Sequence, residues 1–111
     1  MLSKKYKIIK KEDFNLLYKN GITYHSKHLK ILILPNNLKS NRFSIVVSKK
    51  ISAKATVRNA TKRKLKHILP SLDTFFPTKV DALLIAHAGI GNLKTNILIE
   101  EIKNIIKRIT L

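Results

Sequence analysis

A chain of 111 residues has room for one domain, spanning residues 1–111, and 44% hydrophobic content supplies a core. Its 23 lysines and arginines against 6 acidic residues give a formal charge of +17, far above the roughly 2–8 charges that solubility requires. The absence of cysteine excludes disulfides and thiolate chemistry, and no apolar run approaches the ~20 residues of a membrane span. No apolar segment follows the basic N-terminus, so we expect a cytoplasmic protein.

The basic residues are concentrated where acidic residues are missing. Between Phe14 and Leu72 there are thirteen basic residues and no acidic one, so repulsion within this stretch must cost stability. A polyanionic partner would relieve that repulsion. Nucleic acid is the usual one, because lysines and arginines that bind phosphates release counterions. An anionic membrane surface is the alternative that charge leaves open.

Residues 1–10 are basic and are expected to be extended, and a short helix is predicted after them. It opens with Glu12 and Asp13, whose charges suit a helix N-terminus, and it ends at Asn20 and Gly21. One apolar face follows from the helical spacing of Phe14, Leu17 and Tyr18.

Two or three antiparallel strands are predicted next. Residues 22–34 read as extended, Pro35 begins a turn, and residues 42–48 are rich in β-formers. One face of the strand at 42–48 is apolar and is expected to pack on the later helices: Phe43, Ile45 and Val47. The opposite face carries Arg42, Ser44, Val46 and Ser48 and is mostly small and polar.

The second half of the chain alternates helix, strand and helix. A helix is predicted over residues 56–69, with Pro70 ending it. A mostly buried strand follows at 81–87, and a final helix runs from an N-cap at Asn92 to about Arg108. The apolar seam of this last helix is Leu98, Ile102, Ile105 and Ile109, with Ile106 beside it.

The predicted order is therefore αβββαβα. This order indicates an α+β fold, a single-domain two-layer sandwich in which helices pack on a small mixed sheet.

The densest cluster of cations lies where the third strand leads into the second long helix. Eight of the eighteen residues from Lys49 to Lys66 are basic. Lys49 and Lys50 occupy a loop beside the helix, while Lys62, Arg63 and Lys66 lie on its exposed side. Free backbone N–H groups at the helix start would add to an anion site. A solvated basic helix face is the ordinary alternative, but here the charges are contiguous and no acid intervenes.

The residues predict no active site and no metal site within this protein. The acids are too few and scattered for a paired-carboxylate centre. His25 and His28 are three apart in an expected strand, which places them on opposite faces. Ser48 and Ser52 have no evident base.

Two motifs in sequence order resemble bacterial ribonuclease P proteins. Val-Ser-Lys-Lys at 47–50 is followed by Ala-x-x-Arg-Asn-x-x-Lys-Arg at 55–63. The N-terminal pattern of that family is similar to Lys10, Asp13, Phe14, Tyr18 and Gly21. The resemblance covers residues 7–108. Ala60 departs from it, since the family usually has a third basic residue at this position.

The resemblance implies a fold like the second domain of ribosomal protein S5, with a left-handed βαβ crossover. It implies an endoribonuclease subunit in which the RNA component holds Mg²⁺ and performs hydrolysis, so that the protein binds no cofactor. The implied partners are ribonuclease P RNA, with one protein per RNA, and precursor tRNA. The residues matching RNA-subunit binding are Lys49, Lys50, Lys54, Arg58, Asn59, Lys62, Arg63 and Lys66.

A second implied site is a cleft that holds the single-stranded 5′ leader of precursor tRNA. The cleft residues are Phe14, Tyr18, Arg42, Ser44 and Ser48. Aromatic rings can stack on bases without reading sequence, although Phe14 and Tyr18 can also be core residues. A non-catalytic ribosome-associated RNA-binding protein is the alternative function, and a membrane-surface protein is a third.

Overall fold

The computed structural model describes residues 11–48 and 54–109, and its elements follow the predicted order. The helices are α1 (Lys11–Asn20), α2 (Ala55–Leu72) and α3 (Thr95–Lys107), and the strands are β1 (Ile22–His25), β2 (Leu29–Pro35), β3 (Arg42–Val46) and β4 (Val80–Ala86). Short 3₁₀ turns lie at Asp73–Phe75 and Ile90–Asn92. No helix in these two ranges is long and apolar enough to cross a membrane.

The four strands form one mixed sheet in the order β1-β2-β4-β3. β2 pairs antiparallel with both β1 and β4, whereas β3 runs parallel to β4. Parallel neighbours require a crossover connection, and α2 supplies it. This α+β arrangement with a mixed sheet agrees with the sequence prediction. The β3–α2–β4 unit is the crossover for which the family resemblance implies a left hand.

The main core lies between one face of the sheet and the helices α2 and α3. Phe43, Ile45 and Val47 point into it, as their alternation predicted. The predicted seam of α3 is also buried there, with Leu98, Ile102 and Ile105 at 0% exposure and Ile106 and Ile109 below a tenth. The apolar face predicted from strand alternation and the apolar seam predicted from helix spacing therefore pack together in this core.

α1 covers the opposite face of the sheet, which adds a partial third layer to the predicted two. Leu17 is fully buried against Leu32 of β2 and Leu83 of β4. Half-buried residues around this small cluster include Phe14 and Val46. The central strands are therefore apolar on both faces, which removes the simple alternation expected of a sheet with one solvated side.

The prediction that Pro70 ends the second helix was wrong, because α2 extends over Ala55–Leu72 with Pro70 inside it. Proline removes one hydrogen-bond donor, which would otherwise pair with the carbonyl of Lys66. Leu69 and Leu72 flank it and are 0% and 1% exposed. Their burial in the core offsets the lost bond, so tertiary packing outweighs the local preference.

The prediction that Asn92 caps the last helix was also wrong. Asn92 belongs to a 3₁₀ turn, and the N-cap of α3 is Lys94, which makes no side-chain cap hydrogen bond. The turn follows Gly89, whose φ of 88° lies in the left-handed region, and it carries Ile90 into the core at 0% exposure. With Ile90 anchored by this turn, the N-cap of α3 lies two residues later than predicted.

The extended segment predicted over 22–34 consists of two strands separated by a bend at Ser26–His28, which agrees with the predicted order of three strands before the second long helix. β1 therefore ends at His25, and His28 lies outside both strands. The expectation that His25 and His28 share a strand was wrong. β2 begins at Leu29, whose side chain is buried in the core. The bend before it is held by hydrogen bonds from the Ser26 hydroxyl to the Leu29 carbonyl and to Glu101.

Candidate nucleic-acid interface

The rotation of α2 about its axis is set by its buried residues. Thr61, Leu65 and Ile68 are at most 3% exposed and face the core. At 100° per residue this turns the basic side outward. There it forms an open groove of about 540 Å³, lined by Thr56, Asn59, Lys62, Arg63 and Lys66. No acidic residue lines this groove, so it is suited to polyanions.

The N-terminal end of α2 adds to the positive potential of the groove. Its N-cap is Lys54, whose side chain does not cap the helix, and its first turn contains no acidic residue. The first backbone N–H groups of a helix lack intrahelical acceptors and carry partial positive charge. Arg58 follows one turn later, with its N–H donating to the carbonyl of Lys54 at 3.2 Å. Lys49 and Lys50 lie outside the described residues.

Lys64 does not replace the basic residue that the resemblance leads one to expect at Ala60. The Lys64 ammonium turns away from the basic groove and donates to the backbone carbonyl of Leu93. Ala60 is exposed and lies between the two sides of the helix. The groove therefore carries its charge on residues 62, 63 and 66.

The two aromatic residues of α1 occupy different environments. Phe14 is half-buried and packs with Leu17, Leu32 and Leu83. Tyr18, one turn later, is 61% exposed. Phe14 therefore contributes to the small core beneath α1, as one of the two sequence interpretations held, whereas the ring of Tyr18 is accessible at the edge of that layer.

β3 presents its small, polar face to the same side of the sheet as α1. Ser44 lies beside Leu83 and Arg42 beside Asp81 in the parallel pairing with β4. Ser44 is half-buried and Ser48 is exposed. The structure thus brings Phe14, Tyr18, Arg42, Ser44 and Ser48 to one side of the sheet, opposite the side that packs on α2 and α3.

Arg42 is held by two carboxylates. Its Nε and Nη2 donate to Oδ1 and Oδ2 of Asp81 at 2.8 and 2.6 Å, and its Nη1 donates to Oδ2 of Asp13 at 3.3 Å. The hydrogen bond to Asp81 is the main cause that raises the pKa of Arg42. The guanidinium therefore joins the start of α1 to the sheet, a partnership between residues 29 and 39 apart that periodicity cannot reveal.

Sequence reasoning also missed a cluster that joins the β1–β2 bend to α3. Glu101 Oε2 accepts from the Ser26 hydroxyl at 2.5 Å and from the His28 backbone N–H at 3.0 Å, while Oε1 lies 2.7 Å from His28 Nδ1. Burial raises the pKa of Glu101, but the hydrogen bonds from Ser26 and His28 outweigh it, so the net pKa is lowered. The sequence offered one signal for this cluster, which is that the acidic residue Glu101 lies among the apolar seam residues of α3.

The described residues contain no group of three or more His, Cys, Asp or Glu side chains arranged to hold a metal ion. The family model for ribonuclease P matches residues 2–110 of the chain.

The chain belongs to the ribonuclease P protein family.

Similar ribonuclease P proteins are found in several bacteria. That of Caldanaerobacter subterraneus is 32% identical over 108 residues, covering 97% of this chain and 92% of the relative. That of Syntrophomonas wolfei is 34% identical over 91 residues, covering 82% and 76%. The solved ribonuclease P protein of Thermotoga maritima superposes with a TM-score of 0.83 at 26% identity, covering 95% of this chain and 98% of that one.

This membership confirms the function predicted from the motifs. The chain is the protein subunit of bacterial ribonuclease P, a tRNA-processing ribonuclease, and it associates with ribonuclease P RNA. The alternative of a ribosome-associated protein is not favoured.

Proposed function

We propose that this ribonuclease P protein binds two RNA segments on opposite sides of its sheet. The α2 groove binds the ribonuclease P RNA, and the side formed by α1 and β3 binds the 5′ leader of precursor tRNA. The observation that carries this proposal is the separation of the two surfaces. α2 packs on one face of the sheet and α1 on the other, so each surface can be occupied without blocking the other.

The α2 groove suits the backbone of a structured RNA. Lys62, Arg63 and Lys66 line it, and each can neutralise a phosphate. Asn59 adds an amide that can donate or accept a hydrogen bond. Lys49 and Lys50, just before the helix, belong to the same proposed surface on sequence grounds, together with Lys54 and Arg58.

The α1–β3 side suits an extended single strand of variable sequence. The exposed ring of Tyr18 offers a stacking surface, and Ser44 and Ser48 offer small polar contacts that do not obstruct a strand. Phe14 supports this surface from below rather than presenting a free ring. Arg42 is engaged with Asp13 and Asp81, so its proposed part is to hold α1 against the sheet at the edge of the cleft.

Hydrolysis is assigned to the RNA subunit. The described part of this chain offers no carboxylate or histidine cluster that fits a divalent ion. We place the Mg²⁺ ions of the reaction on the RNA subunit, as the family resemblance implies. We further propose that one protein binds each RNA and that the complex acts in the cytoplasm. The protein contributes by holding the leader and by stabilising the complex of RNA subunit and substrate.

The leader site is tested by Tyr18→Ala in the reconstituted holoenzyme. Base stacking on an aromatic ring is worth about 1–3 kcal/mol, so binding of precursor tRNA should weaken roughly tenfold. Mature tRNA lacks the leader, and its binding should hardly change. Leu16→Ala is the matched control, because Leu16 is 46% exposed on α1 but 200° around the helix from Tyr18. Equal losses for precursor and mature tRNA would assign Tyr18 a structural role and contradict the leader site.

A further inference from the structure

A second pocket lies on the other side of α2, between that helix and the 3₁₀ turn before α3. Its volume is about 360 Å³, within the usual range for small ligand sites. The lining residues are Thr56, Val57, Ala60, Thr61, Lys64, Gly91 and Asn92. No residue of this lining is acidic. The RNA groove proposed above does not assign a role to this pocket.

The pocket exists because three small residues face one another. Ala60 has a single methyl group, Gly91 has no side chain, and Thr61 is tied back by its hydroxyl, which donates to the Val57 carbonyl at 3.0 Å. A β-carbon on Gly91 would lie only 3.3 Å from Thr61 Oγ1. A larger residue at position 91 would therefore crowd Thr61.

The walls of the pocket combine apolar and hydrogen-bonding groups. Val57, which is 40% exposed, and Ala60 provide an apolar wall on the helix. Asn92 provides an exposed amide on the turn. Lys64 adds a cation that uses one of its three donors on the Leu93 carbonyl. A flat apolar face with polar groups on its rim is the chemistry of a nucleobase, whose edge both donates and accepts hydrogen bonds.

The pocket adjoins the basic groove of α2, because Thr56 lines both. Between them the helix surface at Ala60 carries only a methyl group, and this stretch is the passage from one to the other. A polynucleotide whose phosphates contact Arg63 and Lys62 can therefore pass over this part of the helix and turn one base into the pocket. Bases that are unpaired in loops and bulges are the ones that proteins bind in this way.

We infer that the pocket between α2 and the turn at Ile90–Asn92 holds one unpaired nucleobase of the ribonuclease P RNA. This inference rests on the proposed function of the α2 groove and adds a site to it. It also gives a role to Ala60, because the basic residue that is usual at this position in the family would fill the passage. The site selects an unpaired nucleotide, whereas the groove neutralises phosphates without regard to sequence.

Ala60→Leu tests the site by filling the passage without changing charge. Ala60 is exposed on a helix, so we expect the variant to fold. Binding of the ribonuclease P RNA should weaken by about tenfold, the loss expected for one base contact. The dependence of log affinity on log salt should keep its slope, since no phosphate contact is removed. Ala55→Leu is the matched control, because Ala55 is exposed on the same helix and lines neither groove, and it should bind like the wild type.

Chemical probing of base reactivity in the complex identifies the bound nucleotide. One or a few unpaired bases that the wild type protects should become reactive with Ala60→Leu and also with Asn92→Ala, which alters the pocket from the turn. Wild-type affinity and an unchanged protection pattern in both variants would overturn the inference. The double variant Lys62→Ala, Arg63→Ala tests the groove separately. If it retained wild-type affinity and slope, the proposed function of the groove would fail, whatever the pocket variants showed.

Discussion

Arg42 illustrates how a residue can be placed correctly and still have a different task from the one its type suggests. Strand alternation put it on the cleft side of β3, and the structure agrees. Its guanidinium, however, is taken up by Asp81, which is 5% exposed, and by Asp13. Without Arg42 two carboxylates would face each other at the edge of a site proposed for RNA. The arginine both joins α1 to the sheet and cancels this negative charge.

Arg42→Ala should lower the free energy of unfolding by about 2–4 kcal/mol, because removing one partner strands the buried Asp81 carboxylate. Denaturant unfolding measures this change. Lys39→Ala is the control, since Lys39 is exposed in the β2–β3 connection and should change stability by less than about 0.5 kcal/mol. Equal effects of the two substitutions would show that the ion pair does not hold α1 in place.

Glu101 makes stability depend on pH. Its folded-state pKa lies below the ordinary value of 4.5, so its stabilising contribution is complete above that value and is lost as the pH falls through the folded-state pKa. Glu101→Gln should therefore be less stable than the wild type at neutral pH, with the difference shrinking below about pH 4.5. Urea unfolding across this range measures it. Glu100→Gln, on an exposed neighbour, should show no such convergence, and a constant gap for Glu101→Gln would contradict the assignment.

The partnerships of single residues were the least predictable part of the site. His28 and Glu101 are 73 positions apart, and Arg42 and Asp81 are 39 apart. Residue types and periodicity give the face on which a side chain lies, but not which distant side chain meets it there. The positions of Tyr18 and the α2 cations followed from periodicity, because each depends on the rotation of one helix.

At the scale of elements, packing rather than local preference decides where α2 ends. Residues 56–69 form a helix as predicted, but the last turn continues through Pro70 to bury Leu72. The chain order of the elements and the apolar face of each could be read from the sequence, because they depend on spacing within one segment. The extension of α2 and the turn before α3 depend on core contacts made by distant strands.

Pro70→Ala should stabilise the protein by about 2–3 kcal/mol. Alanine removes the ~3 kcal/mol propensity cost of an interior proline, which includes the donor missing for the Lys66 carbonyl, and the freer unfolded chain offsets about 0.4–1 kcal/mol of this gain. Thermal and denaturant unfolding measure it, with His67→Ala as an exposed control on the same helix. Affinity for the ribonuclease P RNA should not change, because Pro70 lies beyond the basic groove. A loss of stability would mean that the proline is required for the bend into the following turn.

For the molecule as a whole, the acidic residues are largely consumed by internal contacts. Four of the six form hydrogen bonds or ion pairs with residues of other segments: Asp13, Asp73, Asp81 and Glu101. These acidic residues therefore join α1, the end of α2, β4 and α3 to other segments of the chain. The cations of the α2 groove remain available to a partner. The net charge of +17 predicted a polyanion at once, but this division of tasks required the structure.

The central claim is that this protein acts through the RNA subunit and its substrate. A cleavage assay at low Mg²⁺ tests it directly, using precursor tRNA, a bacterial ribonuclease P RNA and the purified protein, separately and combined. We predict that the protein without RNA cleaves nothing, and that adding it to the RNA restores rapid, site-specific removal of the leader. Absence of any stimulation, or site-specific cleavage by the RNA-free protein, would contradict the account.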